Sequence, residues 1–83
     1  MDTGLFVDGF PSSFTDQDLR ELFINHGVVV SAKVVRDPRG RSLAFGYVEM
    51  ATPHDANTAI QRLHRKALHG SILLVSLNKT NAR

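Results

Sequence analysis

Two hydrophobic periods alternate along this chain, and their order restricts its fold more than any other feature. Two segments, 15–26 and 53–63, place apolar residues at helical spacing and predict helices. Runs rich in β-branched or aromatic residues, several of them alternating, predict strands at residues 4–9, 29–36, 43–50 and 72–78. The predicted order is therefore strand, helix, strand, strand, helix, strand.

Both predicted helices carry start signals. Thr15 is followed three positions later by Asp18, which is an acidic form of the capping box, and Thr52 is followed by Asp55 in the same way. Gly27 is expected to end the first helix in the left-handed conformation. These signals fix the helix positions independently of the hydrophobic pattern.

The order of elements predicts an α+β fold, a ferredoxin-like βαββαβ sandwich. Right-handed crossovers place both helices on one face of a four-stranded antiparallel sheet. The turn residues of 37–40 join the second and third strands, and a loop is expected before Gly70. We expect residues 1–83 to form one domain, with a core at about 4–78 and a short tail at 79–83. One face of the sheet is then left uncovered.

Alternation along the strands indicates which face is uncovered. One set of alternate residues contains no polar side chain: Leu5, Val7, Ala32, Val34, Ala44, Gly46, Val48, Met50, Leu73, Val75 and Leu77. The opposite set has polar residues in every strand: Asp8, Ser31, Lys33, Glu49, Ser76 and Asn78. Burying Asp8 or Glu49 unpaired would cost several kcal/mol, so the second set faces water. Phe6, Phe45 and Tyr47 belong to that second set.

Three aromatic rings on an open, partly charged sheet face indicate a binding surface. Flat rings among hydrogen-bonding groups suit unstacked nucleic-acid bases, since each base has a π-face to stack. The net charge is only +2, but the basic residues concentrate in loops and ends, with Arg36, Arg39 and Arg41 around one turn. That distribution fits either a rim that contacts phosphates or loops that are simply solvated.

Composition argues against several other functions. The chain has no cysteine, which excludes disulfides, thiolate metal sites and cysteine nucleophiles. His64 and His69 fall in one loop, but no third ligand accompanies them, so no metal site, cofactor or catalytic residue is predicted. The first residues lack a signal peptide and no run is apolar enough to span a membrane. We therefore expect a monomeric, intracellular and cytoplasmic protein that is not an enzyme.

The chain resembles the RNA recognition motif (RRM) family over nearly all its length. Residues 5–10 stand where the family has its aromatic hexamer, and residues 43–50 stand where it has its octamer. The resemblance implies that Phe6, Phe45 and Tyr47 stack two or three bases of single-stranded RNA. The compact arrangement is also similar to small single-RRM proteins of bacteria. Single-stranded DNA is a possible second ligand, and an RRM-like protein-interaction module is the alternative function.

Two departures from the family pattern affect the expected contacts. The octamer opens with Leu43 where the family usually has a cation for a phosphate, and Arg41, two residues earlier, is expected to substitute. Asp8 and Glu49 either select bases through their amino and imino groups or are solvated charges. The predicted RNA-binding residues are therefore Phe6, Phe45, Tyr47, Asp8, Lys33, Arg39, Arg41, Glu49, Ser76, Asn78 and Lys79.

Overall fold

The structure is a computed structural model that describes residues 3–78. Its helices and strands follow the predicted order, with one addition near the end of the chain. The elements are β1 (Gly4–Asp8), α1 (Asp16–Ile24), β2 (Val29–Arg36), β3 (Ser42–Met50), α2 (Pro53–Leu63), β4 (Ala67–Leu68), β5 (Ser71–Ile72) and β6 (Leu74–Leu77). The extent of the domain, 1–83, stays a prediction.

The main sheet has four antiparallel strands in the order β2-β3-β1-β6. The buried core joins one face of this sheet to the two helices. It consists of Leu5, Val7, Phe10, Leu19, Phe23, Val29, Val34, Val48, Met50, Ala56, Ala59, Leu63, Leu73 and Val75. The ferredoxin-like α+β fold and the predicted core face are confirmed, and Phe6, Phe45 and Tyr47 lie outside the buried set.

The first helix begins as the sequence predicts. The Thr15 hydroxyl accepts a hydrogen bond from the Asp18 N–H, and the Asp18 carboxylate accepts one from the Thr15 N–H, which completes the capping box. The helix ends earlier than expected, at Ile24 with Asn25 as its cap. Gly27 lies beyond that cap, although it does have a positive φ of 148°.

The second helix has only half of the predicted capping box. The Thr52 hydroxyl accepts the Asp55 N–H at 3.1 Å, and Pro53 occupies the first turn. The Asp55 carboxylate accepts the Val28 N–H at 3.3 Å instead of returning to the cap. Asp55 therefore ties the start of α2 to the segment before β2, a long-range role that local spacing does not reveal.

The end of the chain differs from the prediction of one long strand after a loop. Residues 67–72 form a short hairpin, β4–β5, with Ala67 paired to Ile72 and Leu68 paired to Ser71. The last strand of the main sheet, β6, begins only at Leu74. The hairpin was missed because two-residue strands carry too little periodicity to be distinguished from a loop.

The pairing of β2 with β3 is irregular near the turn that joins them. The register shifts between Val34 and Arg36. Ala44 has a φ of 62°, and its N–H donates to the Ser42 hydroxyl at 3.0 Å. A residue in this left-handed conformation interrupts the pleat. Strand alternation therefore holds from Phe45 to Met50 but does not extend back through Ala44.

Candidate nucleic-acid interface

A cluster of three aromatic rings occupies the sheet face that the helices leave open. The ring centroids of Phe6 and Phe45 are 5.6 Å apart, and those of Phe6 and Tyr47 are 5.7 Å apart. Strand register explains the cluster, because Phe6 on central strand β1 pairs directly with Tyr47 on β3. Phe6 and Phe45 are half-buried, and Tyr47 is 41% exposed. We call these three residues the platform.

Polar residues flank the platform in register with it. Phe6 pairs on its other side with Ser76 of β6, and Tyr47 pairs on its other side with Lys33 of β2. One row across the sheet therefore reads Ser76, Phe6, Tyr47 and Lys33. Ser76 and Lys33 are exposed at the two ends of this row. The structure thus places both predicted residues beside the platform.

The two acidic residues lie on opposite sides of that row. Asp8 pairs with Phe45, and its Oδ1 accepts the N–H of Gly9 at 2.8 Å. Glu49 pairs with Gly4 and with Ser31, and it accepts a hydrogen bond from the Thr3 hydroxyl. Each carboxylate has a second oxygen that makes no hydrogen bond within residues 3–78. Both side chains can therefore accept hydrogen bonds from a ligand on the platform.

Two further predicted residues, Asn78 and Lys79, follow β6 in the sequence. Asn78 is half-buried, and its N–H donates to the Gly4 carbonyl at 2.8 Å, which extends the β1–β6 pairing by one residue. It therefore lies on the Glu49 side of the platform. Lys79 lies outside the residues that the structure describes.

The turn between β2 and β3, residues 37–41, carries Arg39 and Arg41, and we call it the arginine turn. One carboxylate organises it. Asp37 accepts the backbone N–H groups of Arg39 and Arg41, each at 2.9 Å, and also the Arg41 Nε at 3.0 Å. The backbone N–H of Arg41, together with its guanidinium, holds the pKa of Asp37 below its usual range. Since alternation stops at Ala44, it does not place Arg41 on the face of Phe45, and the predicted contact with a bound strand stays a prediction.

Two exposed apolar residues, one in β5 and one at the start of β6, were not among the predicted site residues. Leu74 pairs with Asp8 and is 42% exposed, and Ile72, two residues before it, is 53% exposed. Alternation back from Ser76 would have identified both. Both are apolar, so a face defined by its polar residues does not include them.

Two features are absent from the described residues, a metal-ligand cluster and a membrane-spanning helix. Between residues 3 and 78 there is no group of three side chains of the types that bind metals. Over the same range no helix has the length and apolarity to cross a membrane.

Comparison with known proteins identifies the family. The profile of the RNA recognition motif family matches residues 5–74, which include β3, all of β1 except Gly4, and the whole platform. The chain belongs to the RNA recognition motif family. Membership of this family of binding domains confirms the expectation that the chain is not an enzyme.

Similar RRM sequences occur inside much longer proteins. Polyadenylate-binding protein 2 of Arabidopsis thaliana is 37% identical over 75 residues, which cover 90% of this chain and 12% of that protein. The polyadenylate-binding protein, cytoplasmic and nuclear, of Eremothecium gossypii is 38% identical over 73 residues, covering 88% of this chain and 12% of that protein. These relatives are eukaryotic, so the expected likeness to small bacterial proteins is not supported.

Solved structures show the same RRM architecture. The crystal structure of RNA binding protein PG1 superposes with a TM-score of 0.89 at 32% identity and covers 98% of this chain and 99% of that one. The Sxl-lethal protein/RNA complex superposes with a TM-score of 0.92 at 26% identity, covering 99% of this chain and 50% of that one. The order and packing of the elements therefore agree with an independently observed fold.

Proposed function

We propose that this RRM binds single-stranded RNA by stacking bases on Phe6, Phe45 and Tyr47, without catalysis. The observation that carries the proposal is the contiguous ring cluster on the face that no helix covers. Phe6 stands at its centre, with both neighbouring centroids within 6 Å. Rings at this spacing offer adjacent flat surfaces to consecutive bases.

Energetics favour a ligand for these rings over a purely structural role. The core between sheet and helices is closed by other residues, so the rings are not required to fill it. Each stacked base contributes about 1–3 kcal/mol to binding. With few phosphate contacts, three such stacks should give a micromolar dissociation constant, which corresponds to a binding free energy of about −8 kcal/mol.

The comparisons support RNA as the ligand. Two relatives are named as polyadenylate-binding proteins, and one superposed structure is a complex with RNA. Single strands are favoured over duplexes because a duplex keeps its bases stacked on one another. Single-stranded DNA has the same flat bases and is the second ligand to test.

The polar residues around the platform complete the proposed site. Asp8 and Glu49 accept hydrogen bonds from base amino and imino groups, and Ser76 and Asn78 add hydrogen-bonding groups at the β6 side. On the β2 side, Lys33 and the turn residues Arg39 and Arg41 contact phosphates. Phosphate contacts set affinity for any sequence, whereas base contacts set the preference among sequences.

The name of one relative supports an intracellular location for this protein. An intracellular location is inferred from the fungal relative, whose name places it in the cytoplasm and nucleus. The narrower expectation of a cytoplasmic, monomeric protein stays a prediction.

The proposal is tested by replacing the rings one at a time. Phe45→Ala and Tyr47→Ala are each expected to weaken binding of a short RNA about 5- to 150-fold, which corresponds to 1–3 kcal/mol for one lost stack. Titration by fluorescence anisotropy at two salt concentrations measures this loss. The slope of log affinity against log salt should stay shallow, roughly −2 to −3, in the parent protein.

The matched control is Ile24→Ala, because Ile24 is an exposed apolar residue at the end of α1, in the helix layer. Its affinity for RNA should equal that of the parent. A folded Phe45→Ala, Tyr47→Ala double variant that still binds RNA with parent affinity would refute stacking. The platform would then be assigned to a protein partner.

A further inference from the structure

Basic residues are distributed unequally along the chain. Residues 1–55 carry five Lys or Arg and eight Asp or Glu, whereas residues 56–83 carry five Lys or Arg and no acidic residue. Within the described part of that second segment, the basic residues are Arg62, Arg65 and Lys66, and all three are exposed. Among residues 3–78, their side chains make no hydrogen bond or ion pair. They are therefore available to an anionic ligand.

Backbone hydrogen bonds hold Arg65 and Lys66 at the border of the sheet. The Arg65 N–H donates to the Leu73 carbonyl at 2.7 Å, and the Leu73 N–H donates to the Lys66 carbonyl at 2.9 Å. These bonds lie at the base of hairpin β4–β5, immediately before β6. The two basic residues thus lie one strand spacing, about 4.8 Å, beyond the outer edge of β6.

Their position is next to one end of the platform. Leu74, which follows Leu73, pairs with Asp8, and Asp8 pairs with Phe45. The chain also passes close to β1 here, since a Cβ on Gly9 would lie 2.2 Å from the Ile72 carbonyl oxygen. Leu74, which is 42% exposed, continues this row beyond Asp8 toward the hairpin, and Ile72 in the hairpin is 53% exposed.

The arginine turn lies at the same end of the sheet. β3 runs antiparallel to β1, so Phe45 near the start of β3 lies beside Asp8 at the end of β1. The turn that carries Arg39 and Arg41 immediately precedes β3. Two groups of cations therefore flank this end of the platform, separated across the strands by about three and a half strand spacings, or about 17 Å.

We propose that Arg65 and Lys66 form a second phosphate-binding site of the RNA interface, at the β6 border of the platform. An RNA strand that crosses the row of Leu74, Asp8 and Phe45 reaches the arginine turn on one side and this site on the other. The inference rests on the proposed function, because it assigns phosphates of the same strand whose bases stack on the platform. The interface then accommodates more than the bases held by the three rings.

The test compares RNA pools of random sequence, three and nine nucleotides long, labelled with fluorescein. The variant is Arg65→Asn with Lys66→Gln. Asparagine is chosen because Arg65 has a φ of 69°, a backbone conformation that Asn tolerates. The nine-nucleotide pool should bind this variant about tenfold more weakly than the parent, and the salt slope should fall by about 1.4, or about 0.7 for each lost phosphate contact. Binding of the three-nucleotide pool should stay within about twofold.

The control matched to the single variant Lys66→Gln is Arg62→Gln, which removes one positive charge from the last turn of α2, in the helix layer behind the sheet. Its affinity for both pools should equal that of the parent. Lys66→Glu is a second, single variant and should weaken binding of the nine-nucleotide pool further than Lys66→Gln does. Urea denaturation of each variant verifies that it is folded.

Unchanged affinity and salt slope for the nine-nucleotide pool would overturn the second site while leaving the proposed function intact. The basic residues would then be assigned to an acidic protein segment. Failure of the parent protein to bind either pool would overturn the proposed function and this inference together. The two failures are therefore distinguishable.

Discussion

Gly46 lies against the backbone of β2, and its replacement by alanine tests the geometry beneath the platform. A Cβ at Gly46 would lie 2.3 Å from the Lys33 carbonyl oxygen and 3.2 Å from the Val34 Cα. Both are backbone atoms of the paired strand, so the clash cannot be relieved by rotating a side chain. Strand β2 must move away, and this weakens the pairs of Val34 with Gly46 and of Lys33 with Tyr47.

The expected cost of Gly46→Ala is about 2–3 kcal/mol, from overpacking together with a weakened ladder hydrogen bond. A chain of 83 residues has a total stability of about 4–12 kcal/mol, so the loss is a large fraction of it. The midpoint of thermal unfolding should fall by about 8–24 °C. Circular dichroism during heating measures this shift.

Gly4→Ala is the matched control, since Gly4 is also a strand residue of the main sheet. The nearest atom to its added Cβ would be the Glu49 Oε1, at 3.3 Å, which is the end of a flexible side chain. Its unfolding free energy should change by no more than about 0.5 kcal/mol. If Gly46→Ala unfolds at the same temperature as Gly4→Ala, the close approach of β2 and β3 is refuted.

Three further predictions concern the arginine turn, the helix caps and Leu43 near the start of β3. The pKa of Asp37 is lowered in the folded protein, so the ionised carboxylate stabilises the arginine turn at pH values above its ordinary pKa of 3.8. This stabilisation should be lost as the pH falls through the lower folded pKa. The amide NMR shifts of Arg41 should report the transition, and Asp37→Asn should abolish it. Thr15→Ala should cost about 1–2 kcal/mol in urea denaturation and Thr52→Ala about 0.5–1, because only the first cap has both reciprocal bonds. Leu43→Arg should tighten RNA binding and steepen the salt slope by about 0.7, through one added phosphate contact; an unchanged slope would exclude that contact.

Strand alternation made most of the fold and the platform predictable. Burying Asp8 or Glu49 without a partner is costly, so the face that carries them must be open to water. Phe6, Phe45 and Tyr47 share that face by strand alternation, and the sequence therefore predicts that they are on the open side. The structure places the three rings together because register pairs Phe6 with Tyr47 and Asp8 with Phe45. The pairing register depends on the whole sheet. Alternation within each strand already limits it, because a shift by one residue would move the buried side chains to the open face.

The features that escaped prediction depend on local backbone or long-range contacts. The left-handed Ala44 interrupts β3, and alanine carries no signal for that conformation. Asp55 was assigned to its own helix cap, whereas its carboxylate bonds to the distant Val28 N–H. The β4–β5 hairpin is too short for its period to be recognised. Only the Asp55 contact is long-range; the other two features are local, but their residue types do not indicate them.

The central claim is that bases stack on the platform, and Tyr47 offers a direct probe of it. Tyr47 is the only tyrosine and the chain has no tryptophan, so its emission reports on the platform alone. We expect a short single-stranded RNA to quench the Tyr47 emission until binding is saturated. The dissociation constant obtained from this quenching should equal the one that fluorescence anisotropy gives for the same RNA. An RNA that binds by anisotropy and leaves the Tyr47 emission unchanged would contradict stacking on the platform.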